Sequence, residues 1–538
     1  MKGKNKLTTA LLAALAAAGC SSKDAETEYV YVDQQQTPIA SLKAISSDGE
    51  YAALNMQEKT DLETMLFNNG SGTLSNLSND PENSDFAQAF AGHHLITKKR
   101  NNNDEETINV YDASTGQLVY TSENFSWINR IVPYPDGSRV LFSGVDGSHY
   151  SHVMTHAIGS DTAEKLFPTA TSSHIEAQSE DNSIIFLYTY NPSLGDTLHM
   201  MKTADNSVVP LINMCCQNVI ALSRTGAKAV IYDWSNDLIK TVDTETAGVQ
   251  LVSMPSGKEF CDAEYISENG IGVLLEMEDE STDADEFWHL NTETGTLEFI
   301  TQREVGTAFR YPRAISPDGT IVAIDEYDAP GDNLLIYNST TQELYNPLLG
   351  IATEWVNFRG FSADGKAIIE YDDDATGDNI TVMHDYATKN NTVLGDSANY
   401  VLYSTRNPTQ DRKYLPIDGA DLATGWQVVL LEDLINGGRK VISQPGFDIS
   451  YIGSSPDNNH LLLRGRDGIS TNLFVYDIAD DTIEQVTNNT DPRLDWIYIR
   501  EHSKDGSNAY FEEGFDNGTG LLRELDYETG EVKDVSYQ

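Results

Sequence analysis

Five arginines recur at nearly one position of a repeated segment, and their side chains are well suited to binding chemistry. They are Arg130, Arg313, Arg359, Arg406 and Arg500, in a chain with 35 Lys and Arg against 83 Asp and Glu. A guanidinium offers a planar fork of donors that matches a carboxylate or a phosphate. The spacing therefore predicts a positive collar that holds an anionic ligand. The alternative is that each arginine pairs with an acid of an adjacent repeat and stabilises repeat packing.

Aromatic side chains precede these arginines by a few residues in several repeats. The recurring positions are Trp127, Trp355, Tyr400, Phe447 and Trp496. We expect Trp127, Trp355 and Trp496 to lie on the same surface as the arginines and to contribute to ligand binding.

Carboxylates also fall on the segments that carry the arginines. They are Glu176, Asp262, Glu264 and Glu501. Cleavage of a glycosidic bond requires two carboxylates on either side of that bond. The sequence singles out no such pair, and it has no nucleophile elbow, phosphate loop or dinucleotide-binding glycine motif. An enzyme that uses carboxylates or a metal is therefore the alternative to a binding protein.

The sequence predicts no metal site or cofactor. His149, His152 and His156 are the nearest to a ligand set for zinc or copper, but an exposed strand edge on a hairpin is the favoured explanation. The acidic hairpins at 326–332 and 372–378 raise the question of calcium. They lack the ligand order of an EF-hand, so solvated turns are favoured. Cys216 and Cys261 occupy nearly equivalent places in consecutive repeats and are candidates for a disulfide.

The repeated segment itself indicates the architecture. Turns that follow a first short apolar strand recur eleven times at spacings of 44–49 residues. Each unit has four short strands separated by Asp-Gly or Asp-Asn turns. A four-stranded sheet of this size cannot bury both of its faces alone, so the units must stack around an axis as the blades of a β-propeller. The fold class is all-β.

The turns resemble those of TolB-type propellers. The segments that carry this resemblance are Ser316-Pro-Asp-Gly319, Ser455-Pro-Asp-Asn458, Pro135-Asp-Gly137, Ala363-Asp-Gly365 and Lys504-Asp-Gly506. The blades are also similar to the non-catalytic propeller of prolyl-oligopeptidase-like peptidases. The resemblance implies that the strand before each turn is innermost and lines a channel, and it specifies a fold and not an activity. Repeats 2, 4, 5 and 9 depart from the turn pattern, with Gly92-His-His, Glu180-Asp-Asn, Arg224-Thr-Gly and Pro408-Thr-Gln-Asp at the turn.

Eleven blades exceed the four to eight of most propellers. The longest spacing lies between Asn269 and Asp318. We therefore expect two propellers, with repeats 1–6 at 39–301 and repeats 7–11 at 302–538. Another split and one unusually large ring are the alternatives.

The N-terminus is typical of a targeting signal. Three lysines precede an apolar run that is too short to span a bilayer, and Leu15 to Cys20 resembles the lipobox of bacterial lipoproteins. The resemblance implies a signal peptide at 1–19, acylation of Cys20 and a polar tether at 20–38. Ser21 after the cysteine implies the outer membrane, on its periplasmic or its outer face.

The charge restricts the class of partner. The formal net charge of −48 excludes nucleic acid, whose phosphates would be repelled. The sequence therefore predicts an outer-membrane lipoprotein that touches the membrane only through its lipid anchor. Its predicted role is a non-catalytic binding or scaffold propeller for an envelope protein, a peptide or an anionic glycan, with a glycoside hydrolase or lyase as the alternative.

Overall fold

The computed structural model describes residues 40–535, with gaps at 59–60, 79–83, 194, 214–216, 307, 328–331, 354, 396–397, 504 and 516–519. Across the described residues the regular structure consists of 45 β-strands in eleven antiparallel sheets. The expected signal peptide, Cys20 and the tether lie outside the described residues. This part of the chain has no helix with the length and apolar character needed to cross a membrane.

Each sheet is one blade, and we number the blades in chain order. The strands of blades 1 to 6 are β1 (Ala40–Ile45), β2 (Tyr51–Glu58), β3 (Asp61–Asn68), β4 (Thr73–Asn76); β5 (Ser84–Ala91), β6 (His94–Arg100), β7 (Glu106–Asp112), β8 (Gln117–Thr121); β9 (Trp127–Pro133), β10 (Arg139–Val145), β11 (Ser151–Ala157), β12 (Ala163–Lys165); β13 (Ser172–Gln178), β14 (Ile184–Asn191), β15 (Gly195–Lys202), β16 (Ser207–Asn213); β17 (Gln217–Leu222), β18 (Lys228–Asp233), β19 (Leu238–Asp243), β20 (Gly248–Leu251); and β21 (Lys258–Ile266), β22 (Gly272–Asp279), β23 (Ala284–Asn291), β24 (Thr296–Gln302). The strands of blades 7 to 11 are β25 (Glu304–Val305), β26 (Ala308–Ile315), β27 (Ile321–Tyr327), β28 (Asp332–Asn338), β29 (Glu343–Tyr345); β30 (Val356–Phe361), β31 (Ala367–Asp373), β32 (Asp378–Asp385), β33 (Asn390–Leu394); β34 (Tyr400–Thr405), β35 (Tyr414–Asp421), β36 (Gln427–Asp433), β37 (Arg439–Ile442); β38 (Asp448–Ser454), β39 (His460–Arg466), β40 (Thr471–Asp477), β41 (Thr482–Gln485); and β42 (Leu494–His502), β43 (Asn508–Phe515), β44 (Gly520–Asp526), β45 (Val532–Asp534).

Every blade is a meander in which consecutive strands are hydrogen-bonded neighbours. The second and third strands carry the apolar runs and are buried on both faces, as in β10, whereas fourth strands such as β20 are exposed. Blade 7 has a fifth strand, because β25 pairs with the free edge of β26 through Glu304 opposite Phe309. The hydrophobic pattern therefore places the core between blades, where sheet faces pack on one another.

The blades form one ring. Leu274 and Phe287 of blade 6 share a core cluster with Ile324 of blade 7, so the packing is continuous at the expected boundary. The ring closes where Leu54 of blade 1 packs with Tyr510 of blade 11. The structure thus has one large ring, which was the alternative, and not the expected two propellers divided between residues 301 and 302. The long spacing that suggested a boundary comes from β25 and its hairpin, which are inserted within blade 7.

The recurring Ser-Pro-Asp-Gly turn closes the first hairpin of a blade. In blade 7 the Ser316 hydroxyl donates to Asp318 at 2.5 Å and accepts the Ile321 N–H at 2.9 Å. Gly319 has φ of +76°, and a Cβ there would lie 2.5 Å from the backbone nitrogen of Gly272 in blade 6. Glycine is required because the turn is left-handed and touches the neighbouring blade.

Candidate functional site at the channel wall and mouth

The innermost long strand of each blade is its first; in blade 7 we count β26 as the first strand and β27 as the second, because β25 is only a two-residue addition to the edge of β26. First strands of several neighbouring blades lie against one another, among them β1 and β5, β17 and β21, and β42 of the last blade and β1 of the first. Nearly all of these strands contain a β-bulge, which redirects a side chain out of the regular alternation. The bulge residue is Arg313 in blade 7, Arg359 in blade 8 and Arg500 in blade 11. We call the surface formed by the first strands the channel wall.

Four of the five collar arginines pair with a carboxylate on the second strand of their own blade. Arg313 Nε lies 2.6 Å from Asp325, Arg406 Nε donates to Asp418 at 2.8 Å, and Arg500 Nε donates to Glu512 at 2.7 Å. The fourth pair joins Arg359 to Glu370 at 2.6 Å. The expected alternative placed these acids on adjacent blades, whereas the structure has them within the blade. Arg130 is exposed and makes no ion pair with a residue that the structure describes.

Two of these carboxylates also bind the next blade. Glu370 is fully buried and accepts the backbone N–H of Thr405 in blade 9 at 3.0 Å. Asp418 accepts the N–H of Tyr451 in blade 10 at 2.9 Å, and burial raises the pKa of Asp418 against this hydrogen bond and the charge of Arg406. Glu370 and Asp418 therefore join neighbouring blades, and we call these contacts the blade seams. The arginines are the counterions of the two acids. Arg313, Arg406 and Arg500 nevertheless remain 42–50% exposed, so their role in ligand binding stays a prediction.

The turns after the first strands form the mouth of the channel. In most blades the left-handed position of this turn is glycine or asparagine, as at Gly319, Gly365 and Asn458. Blade 9 has Arg412 there with φ of +59°. A left-handed conformation costs a residue with a Cβ atom about 1 kcal/mol. Strain of this kind in a turn is a sign of function when the side chain has a use that glycine cannot provide.

Arg412 reaches across the mouth. Its Nη2 lies 2.8 Å from Glu268, which belongs to the turn of blade 6, three blades away along the chain. Its Nη1 is buried and has no hydrogen-bond partner among the described residues. A second guanidinium, that of Arg224 in blade 5, pairs with Glu180 of blade 4 at 2.6 Å.

A cavity of about 400 Å³ opens between these turns. It is lined by side chains from five successive blades: Arg224, Thr225, Glu268, Pro317, Ala363, Gln410, Asp411 and Arg412. Two guanidiniums at one cavity can fix a carboxylate or a phosphate through charge-assisted hydrogen bonds. The sequence prediction did not include either arginine as a site residue. The signal for both was the departure of repeats 5 and 9 from the Asp-Gly turn.

The predicted aromatic residues occupy different environments. Trp127 is 50% exposed, with Lys98 Nζ 4.9 Å from its ring centroid. Trp355 is half-buried. Trp496 packs over Gly514 and contacts Tyr498 at a centroid distance of 4.8 Å. Their predicted role in ligand binding is untested.

Among the predicted carboxylates, Glu264 has the most unusual neighbour. It is a bulge residue of β21 and shares a hydrogen bond with Glu276. Burial raises the pKa of Glu276 to about 7 against the charge of Arg303, and the hydrogen bond with Glu264 adds to the rise. Glu176 lies 3.2 Å from His174, whereas Asp262 and Glu501 are exposed.

The histidines of blade 3 have separate partners. His149 is exposed in a left-handed turn, His152 lies 3.1 Å from Asp146, and His156 stacks on Tyr120 with centroids 3.7 Å apart. His152 and His156 are four residues apart on β11, a separation of about 13 Å along a strand, so one metal cannot join them. In the described part of the chain, Asp48, Glu50 and His93 do lie together, with donor atoms within 4.8 Å, but all three are exposed.

The acidic hairpins and the cysteines complete the predicted set. Asp373 accepts the N–H of Ala375 at 2.9 Å, as in an ordinary Asx turn, and part of the hairpin at 326–332 lies outside the described residues. Cys261 carries a free, exposed thiol. Cys216 lies outside the described residues, so the candidate disulfide stays a prediction.

No family model and no curated protein matches this chain. Three solved structures illustrate what it is similar to. The tricorn protease shares 10% identity over 93% of this chain and 58% of its own, with a TM-score of 0.31. The oligogalacturonate lyase from Vibrio parahaemolyticus shares 11% identity over 65% of this chain and 98% of its own, with a TM-score of 0.29. TolB from Acinetobacter baumannii shares 13% identity over 58% and 78%, with a TM-score of 0.25.

The chain thus spans little more than half the length of the tricorn protease structure. At TM-scores this low the likeness carries no argument about activity. The assignment of a propeller rests on the strand order and on the packing of the eleven blades.

Proposed function

We propose that this protein is an outer-membrane lipoprotein that acts as a non-catalytic binding propeller for an anionic component of the cell envelope. The ligand is a carboxylate- or phosphate-bearing protein, peptide or glycan, and it binds at the channel mouth through Arg412 and Arg224. The Leu15 to Cys20 segment supports the lipid anchor. The large negative charge supports a ligand that must be recognised at a few defined cationic points, because the rest of the surface repels it.

One observation carries the proposal: Arg412 stands in a left-handed turn where most other blades have glycine or asparagine. Its ion pair with Glu268 does not explain this choice, because both side chains are partly exposed and such a pair contributes about 0–1 kcal/mol. That gain only offsets the conformational cost. The buried and unpartnered Nη1 at the cavity provides the further reason, since an anion there would complete its hydrogen bonding.

A glycoside hydrolase or lyase is the second candidate, and Glu276 favours it. A carboxyl group with a pKa of about 7 is protonated near neutral pH and suits a general acid, with Glu264 as its partner. Turnover of a glycan by the purified protein, lost in Glu276→Gln, would support this candidate over binding alone.

The test of the binding function uses the full chain as bait. Envelope extract is passed over immobilised wild type, Arg412→Asn and Lys389→Gln. Asparagine tolerates the left-handed turn, and Lys389→Gln removes one positive charge from an exposed pair with Glu343 elsewhere on the ring. We expect an anionic component that is retained by wild type and the control but not by Arg412→Asn. Equal retention by all three baits would overturn the proposal.

A further inference from the structure

The channel wall repeats a combination of an exposed tyrosine and an exposed arginine. The three copies, which we call the Tyr–Arg units, are Tyr311 with Arg313, Tyr403 with Arg406 and Tyr498 with Arg500, in blades 7, 9 and 11. The tyrosines are 44%, 52% and 57% exposed. Each pair lies two or three residues apart at the bulged stretch of a first strand or directly after it, so the two side chains are close along the channel wall.

The arginine of each unit is fixed by a carboxylate on the second strand of its own blade. Arg313, Arg406 and Arg500 each use Nε on a carboxylate of the second strand, as described above. Arg406 and Arg500 also donate from Nη2 to the same carboxylate, and each of the three guanidiniums remains about half-exposed. A guanidinium fixed in this way loses little side-chain entropy when it binds a second anion.

Two of the tyrosines are also fixed by aromatic neighbours. Tyr311 contacts Tyr327 with ring centroids 5.8 Å apart, and Arg303 lies 5.9 Å from the Tyr311 centroid. Tyr498 contacts Trp496 at 4.8 Å. These are flat, half-exposed aromatic surfaces that keep one face available, and an exposed aromatic face favours a ligand that also has a flat apolar face.

A further arginine adds positive charge between the second and third units. Arg464 of blade 10 occupies the second-strand position at which blades 7, 8, 9 and 11 have an acid, opposite Ser450. It is half-buried, and no hydrogen bond or ion pair joins it to a described residue. Burial and the charge of Arg466 lower the pKa of Arg464 against the charge of Asp418 in blade 9, and Arg406 lowers it further. An anionic ligand would give Arg464 a hydrogen-bonded counterion, which the described residues of blade 10 do not provide.

We propose that the channel wall binds an acidic polysaccharide, with sugar rings on the tyrosines and their carboxylates on the arginines of the Tyr–Arg units. A uronic acid residue presents both chemistries at once, an apolar ring face and a carboxylate at its rim. A polymer repeats them, as the wall does, and several weak contacts along one chain combine into strong binding. This inference rests on the proposed function and names its ligand class; an acidic peptide has the charge without the ring.

The test compares three probes of matched length by calorimetry: a hexauronate, the same hexasaccharide with its carboxylates reduced to alcohols, and hexaglutamate. We expect the hexauronate to bind at least tenfold more tightly than either of the others, and a longer polyuronate to bind more tightly than the hexamer. Replacement of all three tyrosines by alanine should weaken hexauronate binding at least tenfold, whereas replacement by phenylalanine should preserve it. Phe299→Ala, which removes a 48% exposed aromatic from the fourth strand β24, should have no effect.

The outcomes separate this inference from the proposed function. The proposal of a polysaccharide ligand would be overturned if hexaglutamate and hexauronate bound equally, or if the variant with all three tyrosines replaced by alanine bound hexauronate like wild type. If Arg412→Asn still loses its envelope ligand in that case, the mouth site stands. Failure of wild type to bind any uronate would also overturn the inference.

Discussion

Replacement of Glu370 by glutamine tests whether a wall arginine stabilises the fold as the counterion of an acid at a blade seam. Glu370 is fully buried and accepts hydrogen bonds from Arg359, from Asn379 Nδ2 at 2.9 Å and from Thr405 N at 3.0 Å. Glutamine keeps the shape of the side chain but removes its negative charge. Its amide NH₂ group would also face the N–H donors that Glu370 accepts from. Breaking a buried ion pair costs about 3–5 kcal/mol. The 21% exposure of Arg359 places the expected loss near the lower end, about 3 kcal/mol.

The assay is urea unfolding followed through tryptophan fluorescence, with Trp355 in the same blade. Glu343→Gln is the matched control, because it breaks the exposed pair with Lys389 and should change the free energy of unfolding by only about 0.5 kcal/mol. Adding Arg359→Met to Glu370→Gln should recover part of the loss, since no unpaired charge is then left in the seam. The seam account is refuted if Glu370→Gln is no more destabilising than the control, or if the double variant loses the full sum of its single variants.

The remaining predictions concern pH, a turn glycine and the anchor. Burial raises the pKa of Glu524 to about 7 against the charge of Lys533, so the folded state holds a proton that the unfolded state has released above about pH 4.3. Stability should therefore fall as pH rises from 5 to 7, and the urea midpoint of Glu524→Gln should lack this component; an identical pH profile in the two proteins would contradict it. Gly319→Ala should cost clearly more than the roughly 1 kcal/mol expected for Gly377→Ala, because both glycines are left-handed but only at Gly319 would a Cβ meet neighbouring backbone; equal unfolding midpoints would refute the close contact. Cys20→Ser should abolish incorporation of labelled fatty acid and release the protein from membranes, and retention of the label would refute acylation at that residue.

The number and kind of blades follow from the sequence because each one is specified locally. Ser316, Asp318 and Gly319 form the turn by their own hydrogen bonds and backbone conformation. The grouping of the blades does not follow, because a strand of two residues such as β25 has no periodicity to detect and lengthened one spacing as a linker would.

The site was predictable only in part for a related reason. The recurrence of Arg313, Arg406 and Arg500 marked one repeated position, and the structure places these residues on or directly after the first strands of their blades. Their partners were not predictable, because in a chain with 83 acids almost any carboxylate is a plausible counterion. The pairing of Arg412 with Glu268 depends on how the ring brings blades 6 and 9 together, which no local pattern encodes. The sequence alone does show, however, that Arg412 stands where other repeats have glycine, and this departure indicates a candidate site residue.

The most direct test of the account measures stability and affinity together for Arg412→Asn, with the anionic component that immobilised wild type retains from envelope extract as the ligand. Asparagine should relieve about 1 kcal/mol of left-handed strain and lose about 0–1 kcal/mol from the Glu268 pair. We therefore predict a urea midpoint equal to or above that of wild type, together with at least a tenfold loss of affinity. A lower midpoint with unchanged affinity would show that Arg412 is a brace between blades and not a binding residue, and would contradict the central claim.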